Sequence, residues 1–152
     1  KKLATNNLFC ERSENSGAYL PGTTHRHTTE ITQSLPTDTP VYFTPHLIPQ
    51  KRGIAATIFI PYSQKSPDLH SIYSGVYGNN PFIQLRDKTI PQTGDVWGSN
   101  RCDIGWHIEQ GGIFLFSVID NLIKGAAGQA IQNMNIRLGF DRAAGLRIYG
   151  EV

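Results

Sequence analysis

The sequence predicts an α+β fold in which helices cover one face of a mixed, largely antiparallel sheet. The 15 glycines and 9 prolines among 152 residues indicate many turns and therefore many short strands. Two apolar runs, residues 54–60 and 113–119, have the length and composition of strands. From residue 120 onwards the apolar side chains recur at helical spacing instead. Strands and helices that do not alternate regularly are typical of α+β proteins, and we expect residues 1–152 to form one such domain.

Composition excludes several classes of protein. The hydrophobic share of 39% and the charged share of 17% describe a globular chain. A net charge of +2 argues against binding to nucleic acid, and no apolar run approaches the ~20 residues that span a bilayer. The two cysteines, Cys10 and Cys102, form no disulfide framework, which favours the cytoplasm, or an organellar matrix in a eukaryote. Because the sequence opens at Lys1, we expect a piece of a longer protein.

The first elements lead to a cluster of histidines. Residues 1–24 are polar and rich in turn-forming residues, which predicts a long loop. A short helix is predicted over residues 28–35, with His27 or Thr28 as its N-cap and Pro36 at its end. The loop would therefore deliver the histidines to the start of a helix.

Two strands are predicted next, over residues 41–48 and 53–60, with a tight connection at residues 49–52. The second of these strands is apolar on both faces. A strand of this composition is usually covered on both sides, so we expect it to lie in the centre of the sheet.

The remaining elements include a helix, a short strand and a hairpin. Ser66 and Pro67 are suited to the cap and the first position of a helix, respectively. Residues 82–85 predict a short strand. Residues 102–108 and 113–119 predict two strands that pair across a glycine-containing turn.

The last predicted helix, residues 121–138, carries one apolar stripe and has two glycines in its interior. A glycine inside a helix costs about 1 kcal/mol relative to alanine, so two of them indicate close approach of another element to the helix backbone. The stripe consists of Ile123, Ala127, Ala130, Met134 and Leu138.

The strongest candidate for chemistry is the triplet His25-Arg26-His27. Two imidazoles beside a guanidinium place proton-transfer groups next to a fixed cation, which suits an anionic substrate. Two other interpretations remain open. The histidines could be surface or capping residues, or they could bind a metal with His46 as a third ligand.

A second candidate is the pair of cations Lys51 and Arg52 before Gly53, which could bind a carboxylate or phosphate or could simply form a solvated turn. Cys102 follows an arginine that could lower the pKa of a thiol. Because an apolar strand follows it directly, we expect Cys102 to be a small core residue instead.

Four segments occur in the order found in one enzyme family. They are residues 24–31 (THRHTTEI), 43–54, 98–105 (GSNRCDIG) and 119–130 (IDNLIKGAAGQA). Together they resemble the second domain and the C-terminal helix of the N-acetyl-gamma-glutamyl-phosphate reductases. The resemblance runs through nearly the whole chain and is weakest over residues 61–95 and after Phe140. It implies a C-terminal domain like that of glyceraldehyde-3-phosphate dehydrogenase.

The resemblance also implies a reaction. Enzymes of this family reduce N-acetyl-glutamyl phosphate with NADPH to the semialdehyde of arginine biosynthesis, through a thioester on a cysteine. His25 would be the principal acid–base residue, with His27 as the second catalytic histidine. Arg26, Lys51 and Arg52 would bind the phosphate or carboxylate of the substrate.

Some parts of such an enzyme are missing from this sequence, namely the nucleotide-binding domain and the nucleophilic cysteine. The resemblance implies that residues 121–138 pack on that domain, that Asn121, Lys124 and Gly125 belong to the cofactor site, and that the protein is a homo-oligomer. Without the nucleophile and the hydride donor, we expect this chain to be inactive by itself.

Two rival functions stay open from the sequence. The chain could be a stand-alone metal hydrolase that uses His25, His27 and His46 as zinc ligands. Alternatively, it could be a non-catalytic interaction domain that recruits a partner through the apolar stripe of residues 121–138.

Overall fold

The computed structural model describes residues 8–35 and 38–150. The chain forms two compact units that meet in sequence between Lys51 and Arg52, and each unit has its own sheet. The single domain over residues 1–152 stays a prediction. None of the helices in the described residues is both long and apolar enough to cross a bilayer.

The first unit contains two helices, α1 (Phe9–Arg12) and α2 (Arg26–Ser34). It also contains a two-stranded antiparallel sheet of β1 (Gly17–Ala18) and β2 (His46–Leu47). The predicted strand over residues 41–48 is therefore reduced to a two-residue ladder.

Helix α2 begins earlier than the sequence predicted. His25 has an extended backbone (φ −87°, ψ 132°), and its side chain accepts a hydrogen bond from the N–H of His27. The prediction that His27 or Thr28 caps this helix was wrong, because the ring nitrogen of His25 takes the place of the hydroxyl or carboxylate that usually caps a helix. The predicted end of the helix, Pro36, lies outside the described residues.

The strands predicted on either side of the tight connection at residues 49–52 do not pair with each other as a hairpin. β2 pairs with β1, whereas β3 (Ile54–Tyr62) pairs over its whole length with β6 (Gly111–Ile119). A nine-residue apolar ladder with a distant strand stabilises β3 more than a short ladder with its neighbour in sequence.

The second unit is built on a four-stranded sheet in the order β3-β6-β5-β4. β5 (Cys102–Glu109) and β6 form the predicted hairpin, and Gly111, which opens β6, has a φ of +97° that favours glycine. β4 (Ile83–Arg86) pairs in parallel with β5. The prediction of a mixed, largely antiparallel sheet is therefore confirmed.

The position of β3 in this sheet differs from the prediction. β3 is an edge strand, not a central one. Its apolar side chains on both faces remain accessible, with Ile54 50%, Ile58 46% and Phe59 53% exposed. Apolar composition predicted burial correctly for β6, which lies between two other strands of the sheet and in which Val118 is 2% exposed.

Helix α3 (Leu69–Tyr77) packs on the sheet through aromatic side chains. The ring of Tyr73 stacks on that of Trp106 in β5, with centroids 5.5 Å apart and planes at 15°. Asp68, rather than Ser66, is the N-cap, because its carboxylate accepts a hydrogen bond from the N–H of Ser71 at 3.0 Å.

The predicted C-terminal helix is present and begins with a π-helical turn, Ile123–Ala127, that continues into α4 (Gly128–Leu138). Its predicted apolar stripe is largely exposed, as Met134 (50%) and Leu138 (61%) illustrate. The side chains of α4 that the unit buries are polar ones, from Gln132 and Asn135.

Candidate functional site

The histidine triplet lies at the N-terminus of α2, where the cap fixes one ring. His25 is 8% exposed, and its Nδ1 accepts the N–H of His27 at 3.1 Å. The rings of Tyr19 and Phe43 approach the His25 ring edge-on, with centroids 5.5 and 5.2 Å away. A neutral imidazole that accepts at Nδ1 carries its proton on Nε2. The helix cap therefore leaves the proton of a neutral His25 ring on Nε2.

The two neighbours of His25 are more accessible. The His27 ring lies 4.6 Å from the His25 ring, is 45% exposed and has Nε2 3.9 Å from a carboxylate oxygen of Glu30. Arg26 is exposed. The structure thus brings the three predicted residues together, with one imidazole held rigidly and a second imidazole and a guanidinium facing solvent.

A buried threonine, predicted as a possible N-cap, instead anchors this helix start from within the first turn. Thr28 is 5% exposed, and its Oγ1 donates to the backbone oxygen of Gly22 at 2.6 Å. The N–H of Thr28 donates to the oxygen of His25 at 2.9 Å. These bonds hold the turn before α2 against the helix, and the conformation of His25 depends on that turn.

In the second unit, a buried carboxylate holds the predicted anion ligand Arg52. Asp120 is 0% exposed, and its Oδ2 accepts the N–H of Gly98 at 2.9 Å and lies 3.3 Å from Nη1 of Arg52. Oδ1 accepts the N–H groups of Leu122 and Ile123 at 2.8 and 3.0 Å. Burial raises the pKa of this carboxyl, but the three backbone N–H groups and Arg52 outweigh it and lower the pKa below its ordinary value.

Sequence reasoning missed Asp120, although a signal was present. An acidic residue that directly follows an apolar strand and precedes a helix is well placed to accept the unpaired N–H groups of the first helical turn. The adjacent Asn121 has a related role, because its Oδ1 accepts the N–H of Gly53 at 2.8 Å. Asp120 thus holds the side chain of Arg52, and Asn121 holds the backbone of Gly53, directly before β3.

The predicted cofactor residues lie side by side at the π-helical turn. Nζ of Lys124 donates to the side-chain oxygens of Gln129 and Gln132, both at 2.8 Å, and lies 5.3 Å from the ring centroid of Phe82. Burial lowers the pKa of this amine. Gly125 is exposed. The roles of Asn121, Lys124 and Gly125 toward a cofactor stay predictions.

An open cleft of about 520 Å³ lies beside Arg52 in the second unit. Its lining combines the apolar side chains of Trp97 and Ile131 with two arginines, Arg52 and Arg147. Lys51, the other predicted anion ligand, is exposed at the end of the first unit. The cleft has the positive charge and apolar walls that suit an organic anion.

Among residues 8–35 and 38–150, no group of three or more His, Cys, Asp or Glu side chains could hold a metal ion. His46 is exposed, and its Nδ1 lies 3.2 Å from the backbone oxygen of Thr44. His25 already uses Nδ1 for the helix cap. The described part of the chain therefore offers no ligand set for the zinc-hydrolase alternative.

Cys102 is a poor candidate for a nucleophile. Its Sγ lies 3.4 Å from Oγ of Ser117, and burial is the main cause of the raised pKa of its thiol. A nucleophilic cysteine needs the opposite shift, since the thiolate is the reactive form. This agrees with the predicted packing role.

A family model described as the semialdehyde dehydrogenase dimerisation domain matches residues 1–121. The chain belongs to the semialdehyde dehydrogenase family. Over 147 residues it is 46% identical to N-acetyl-gamma-glutamyl-phosphate reductases of Staphylococcus aureus strains Mu3 and Mu50. This similarity confirms the resemblance predicted from the four motifs.

The match to these reductases extends over 91% of this chain and 43% of each relative, so the chain spans less than half of their length. Among solved structures, aspartate semialdehyde dehydrogenase II from Vibrio cholerae is 25% identical, with a TM-score of 0.48. That likeness covers 62% of this chain and 30% of the other.

Proposed function

We propose that this chain is the substrate-binding and dimerisation half of an NADPH-dependent N-acetyl-gamma-glutamyl-phosphate reductase of arginine biosynthesis, acting in the cytoplasm or an organellar matrix. The observation that carries the proposal is the 46% identity to reductases of that name, together with the family match to residues 1–121. The arrangement of His25 supports it, because a ring fixed by a helix cap is suited to proton transfer in one direction.

In this proposal His25 is the acid–base residue. Its Nε2 would donate a proton to the substrate oxygen that becomes the aldehyde oxygen, while Nδ1 stays bound to the helix N-terminus. Keeping the ring in one orientation reduces the cost of aligning it with the substrate. A positioned acid of this kind contributes about 10²–10⁴-fold to the rate. His27, half exposed beside it, would be the second histidine of the site.

The anionic groups of N-acetyl-glutamyl phosphate would be bound by cations. Arg26 and Lys51 are exposed, and Arg52 is 38% exposed at its side chain while it contacts Asp120. Because Asp120 uses Oδ2 to hold one end of the guanidinium, the remaining N–H groups of Arg52 can donate in a fixed direction. Paired donation of this kind recognises carboxylate and phosphate oxygens.

NADPH would supply the hydride when it is bound to the intact enzyme. The residues of this chain fit that cofactor only in part. Oδ1 of Asn121 is engaged with Gly53, so a cofactor would meet the amide nitrogen, and the amine of Lys124 is engaged with two glutamines. Most cofactor contacts would then come from the nucleotide-binding domain, with Asn121 and Gly125 contributing at its border.

That domain is also the proposed partner of α4. Residues 121–138 leave the stripe residues Met134 (50%) and Leu138 (61%) exposed while burying polar side chains. A helix oriented in this way stabilises its own unit poorly and another apolar surface well. We infer that the stripe packs on the nucleotide-binding domain, and that this chain is inactive without that domain.

A reconstitution assay tests the function. The chain is expected to reduce N-acetyl-glutamyl phosphate with NADPH only when mixed with a nucleotide-binding half taken from one of the similar reductases. Turnover by the chain alone, or none with any such half, would contradict the proposal.

Matched variants at the histidines test the proton transfer. His25→Asn keeps a side chain that caps helices well but cannot transfer a proton, so the reconstituted rate should fall about 10²–10⁴-fold. His27→Asn is the control at the neighbouring ring, and a smaller loss is expected there. Equal losses for both variants would remove His25 from the leading role.

A further inference from the structure

The chain that leads to His25 contains one residue more than the strand with which it pairs. Ala18 pairs with His46, and the next bridge toward His25 joins Gly22 to Phe43. The chain thus advances by four residues on one side (18 to 22) and by three on the other (46 to 43). One extra residue in an antiparallel pair is a β-bulge, which bends the strand and redirects the side chains that follow.

Within this bulge, Leu20 has a strained backbone. Its φ is +44°, and Glu14 is the one other non-glycine residue with a positive φ among residues 8–35 and 38–150. The Cβ of a leucine disfavours this conformation, and Pro21 adds to the strain because a residue before proline prefers an extended backbone. The side chain of Leu20 is 54% exposed, so its burial offsets little of the strain.

Backbone hydrogen bonds on both sides hold Leu20 in this conformation. The N–H of Tyr19 donates to the oxygen of Pro45 at 3.0 Å. The N–H of Gly22 donates to the oxygen of Phe43 at 2.7 Å. Both bonds form together only because the chain between Tyr19 and Gly22 absorbs the extra residue. Strain that the surrounding structure enforces in this way is typical of functional sites.

The bulge is linked to the ring of His25 by two routes. The oxygen of Gly22 accepts Oγ1 of Thr28 at 2.6 Å, and the N–H of Thr28 donates to the oxygen of His25 at 2.9 Å. Phe43, which pairs with Gly22, places its ring 5.2 Å from the ring of His25. The register of the bulge therefore determines both the turn around His25 and the aromatic wall beside its imidazole.

We propose that Leu20 is a positioning residue for His25, which acts through its backbone conformation and not through its side chain. Without the extra residue, Gly22 would lie one position out of register with Phe43. A shift of one residue turns side chains to the opposite face of a strand, so the Phe43 ring would no longer meet His25. The inference rests on the proposed function only in that His25 is the acid–base residue.

Substitutions at Leu20 separate a backbone role from a side-chain role. Leu20→Val keeps an apolar side chain but opposes a positive φ, because valine is β-branched. Leu20→Gly and Leu20→Asn remove the apolar side chain and tolerate a positive φ. In the reconstituted reductase, Leu20→Val should lower kcat about 10–100-fold with little change in KM, because it misplaces a group that acts in the chemical step. The glycine and asparagine variants should keep kcat within about threefold.

NMR of the 152-residue chain tests the geometry without any activity. The unmodified chain should show contacts between the ring protons of His25 and Phe43, and slow exchange of the His27 N–H that caps onto His25. Leu20→Gly and Leu20→Asn should retain both signals, and Leu20→Val should lose them. Leu35→Val is the matched control and should retain both, since Leu35 is also an exposed leucine but has a φ of −96°.

Two results would overturn the inference. One is a Leu20→Val variant with both signals intact, and the other is their loss in the glycine and asparagine variants as well, which would assign the effect to the side chain. If circular dichroism shows that Leu20→Val does not fold, deletion of Leu20 replaces it, because removing the extra residue leaves a regular pairing. The deletion variant should lose both signals, and their retention would equally overturn the inference. Absence of turnover in the unmodified reconstituted enzyme would refute the proposed function, whereas the NMR signals would still decide the role of Leu20.

Discussion

Replacement of Gly128 by alanine tests how α4 packs on the rest of the second unit. Gly128 is the first residue of α4, and a Cβ there would lie 1.6 Å from Oδ1 and 2.8 Å from Cγ of Asn100, and 2.8 Å from the backbone oxygen of Ile123. Asn100 is 3% exposed, and its N–H and Nδ2 both donate to the backbone oxygen of Arg147, at 2.8 and 3.2 Å. The asparagine side chain therefore cannot turn away without breaking the hydrogen bond that its Nδ2 makes.

The expected magnitude follows from opposing effects. Alanine is favoured over glycine in a helix by about 1 kcal/mol. Forcing an extra carbon into a packed site costs about 1–3 kcal/mol, and loss of the Nδ2 hydrogen bond of Asn100 costs about 1 kcal/mol more. The clash exceeds the gain in helix propensity, so Gly128→Ala should lower the free energy of unfolding by about 2 kcal/mol. In a chain of this size that corresponds to a fall in Tm of roughly 4–8 °C.

Gly75→Ala in α3 is the matched control. Nothing lies within 4 Å of a Cβ at Gly75, so this variant should raise the free energy of unfolding by about 0.5–1 kcal/mol. Urea denaturation of both variants measures the difference. A second test adds Asn100→Ala to Gly128→Ala, which should recover at least about 1 kcal/mol relative to additivity. If Gly128→Ala were as stable as the unmodified chain, the close contact between α4 and Asn100 would be refuted.

Three further predictions concern single side chains. Asp120→Asn should lower the free energy of unfolding by about 2 kcal/mol at pH 7, because an amide cannot replace every bond of the carboxylate. Since the pKa of Asp120 is lowered in the folded state, this difference from the unmodified chain should shrink as pH falls below about 4. Urea midpoints at pH 7 and pH 3 measure the change. Burial raises the pKa of Cys102, so a thiol reagent at pH 8 should label exposed Cys10 at least ~10-fold faster, and equal rates would contradict the described burial. His25→Ala should destabilise α2 by about 1 kcal/mol while His25→Asn should not, as amide exchange in α2 can show.

Several elements could be predicted because short-range patterns decide them. The β5–β6 hairpin follows from two apolar runs around a glycine turn, and the helix of residues 121–138 follows from its 3.6-residue period. The triplet His25-Arg26-His27 was recognisable from residue types alone, as was the resemblance that the family match then confirmed.

Other features could not be predicted, because they depend on partners distant in sequence. The apolar run of β3 predicts a strand but not its place in the sheet, and only its pairing with β6 on one side places it at the edge. The roles of Asp120 and Asn121 depend on contacts with residues far away in the sequence. Asp120 accepts a hydrogen bond from Gly98, 22 positions away, and Asn121 accepts one from Gly53, 68 positions away. Asp120 also contacts Arg52. The residue type of Asp or Asn indicates that its side chain will accept hydrogen bonds, but it does not indicate which N–H groups will donate them.

The amino-acid sequence by itself determined the fold class, most strand and helix segments of the second unit, and the family, because local periodicity, turn residues and motif order are properties of neighbouring positions. The tertiary structure decided that His25 caps α2 through Nδ1, that a buried Asp120 holds Arg52, and that the apolar faces of β3 and α4 are left accessible. These features arise when distant segments compete for the same donors, acceptors and apolar surface. That competition is resolved only in the folded chain.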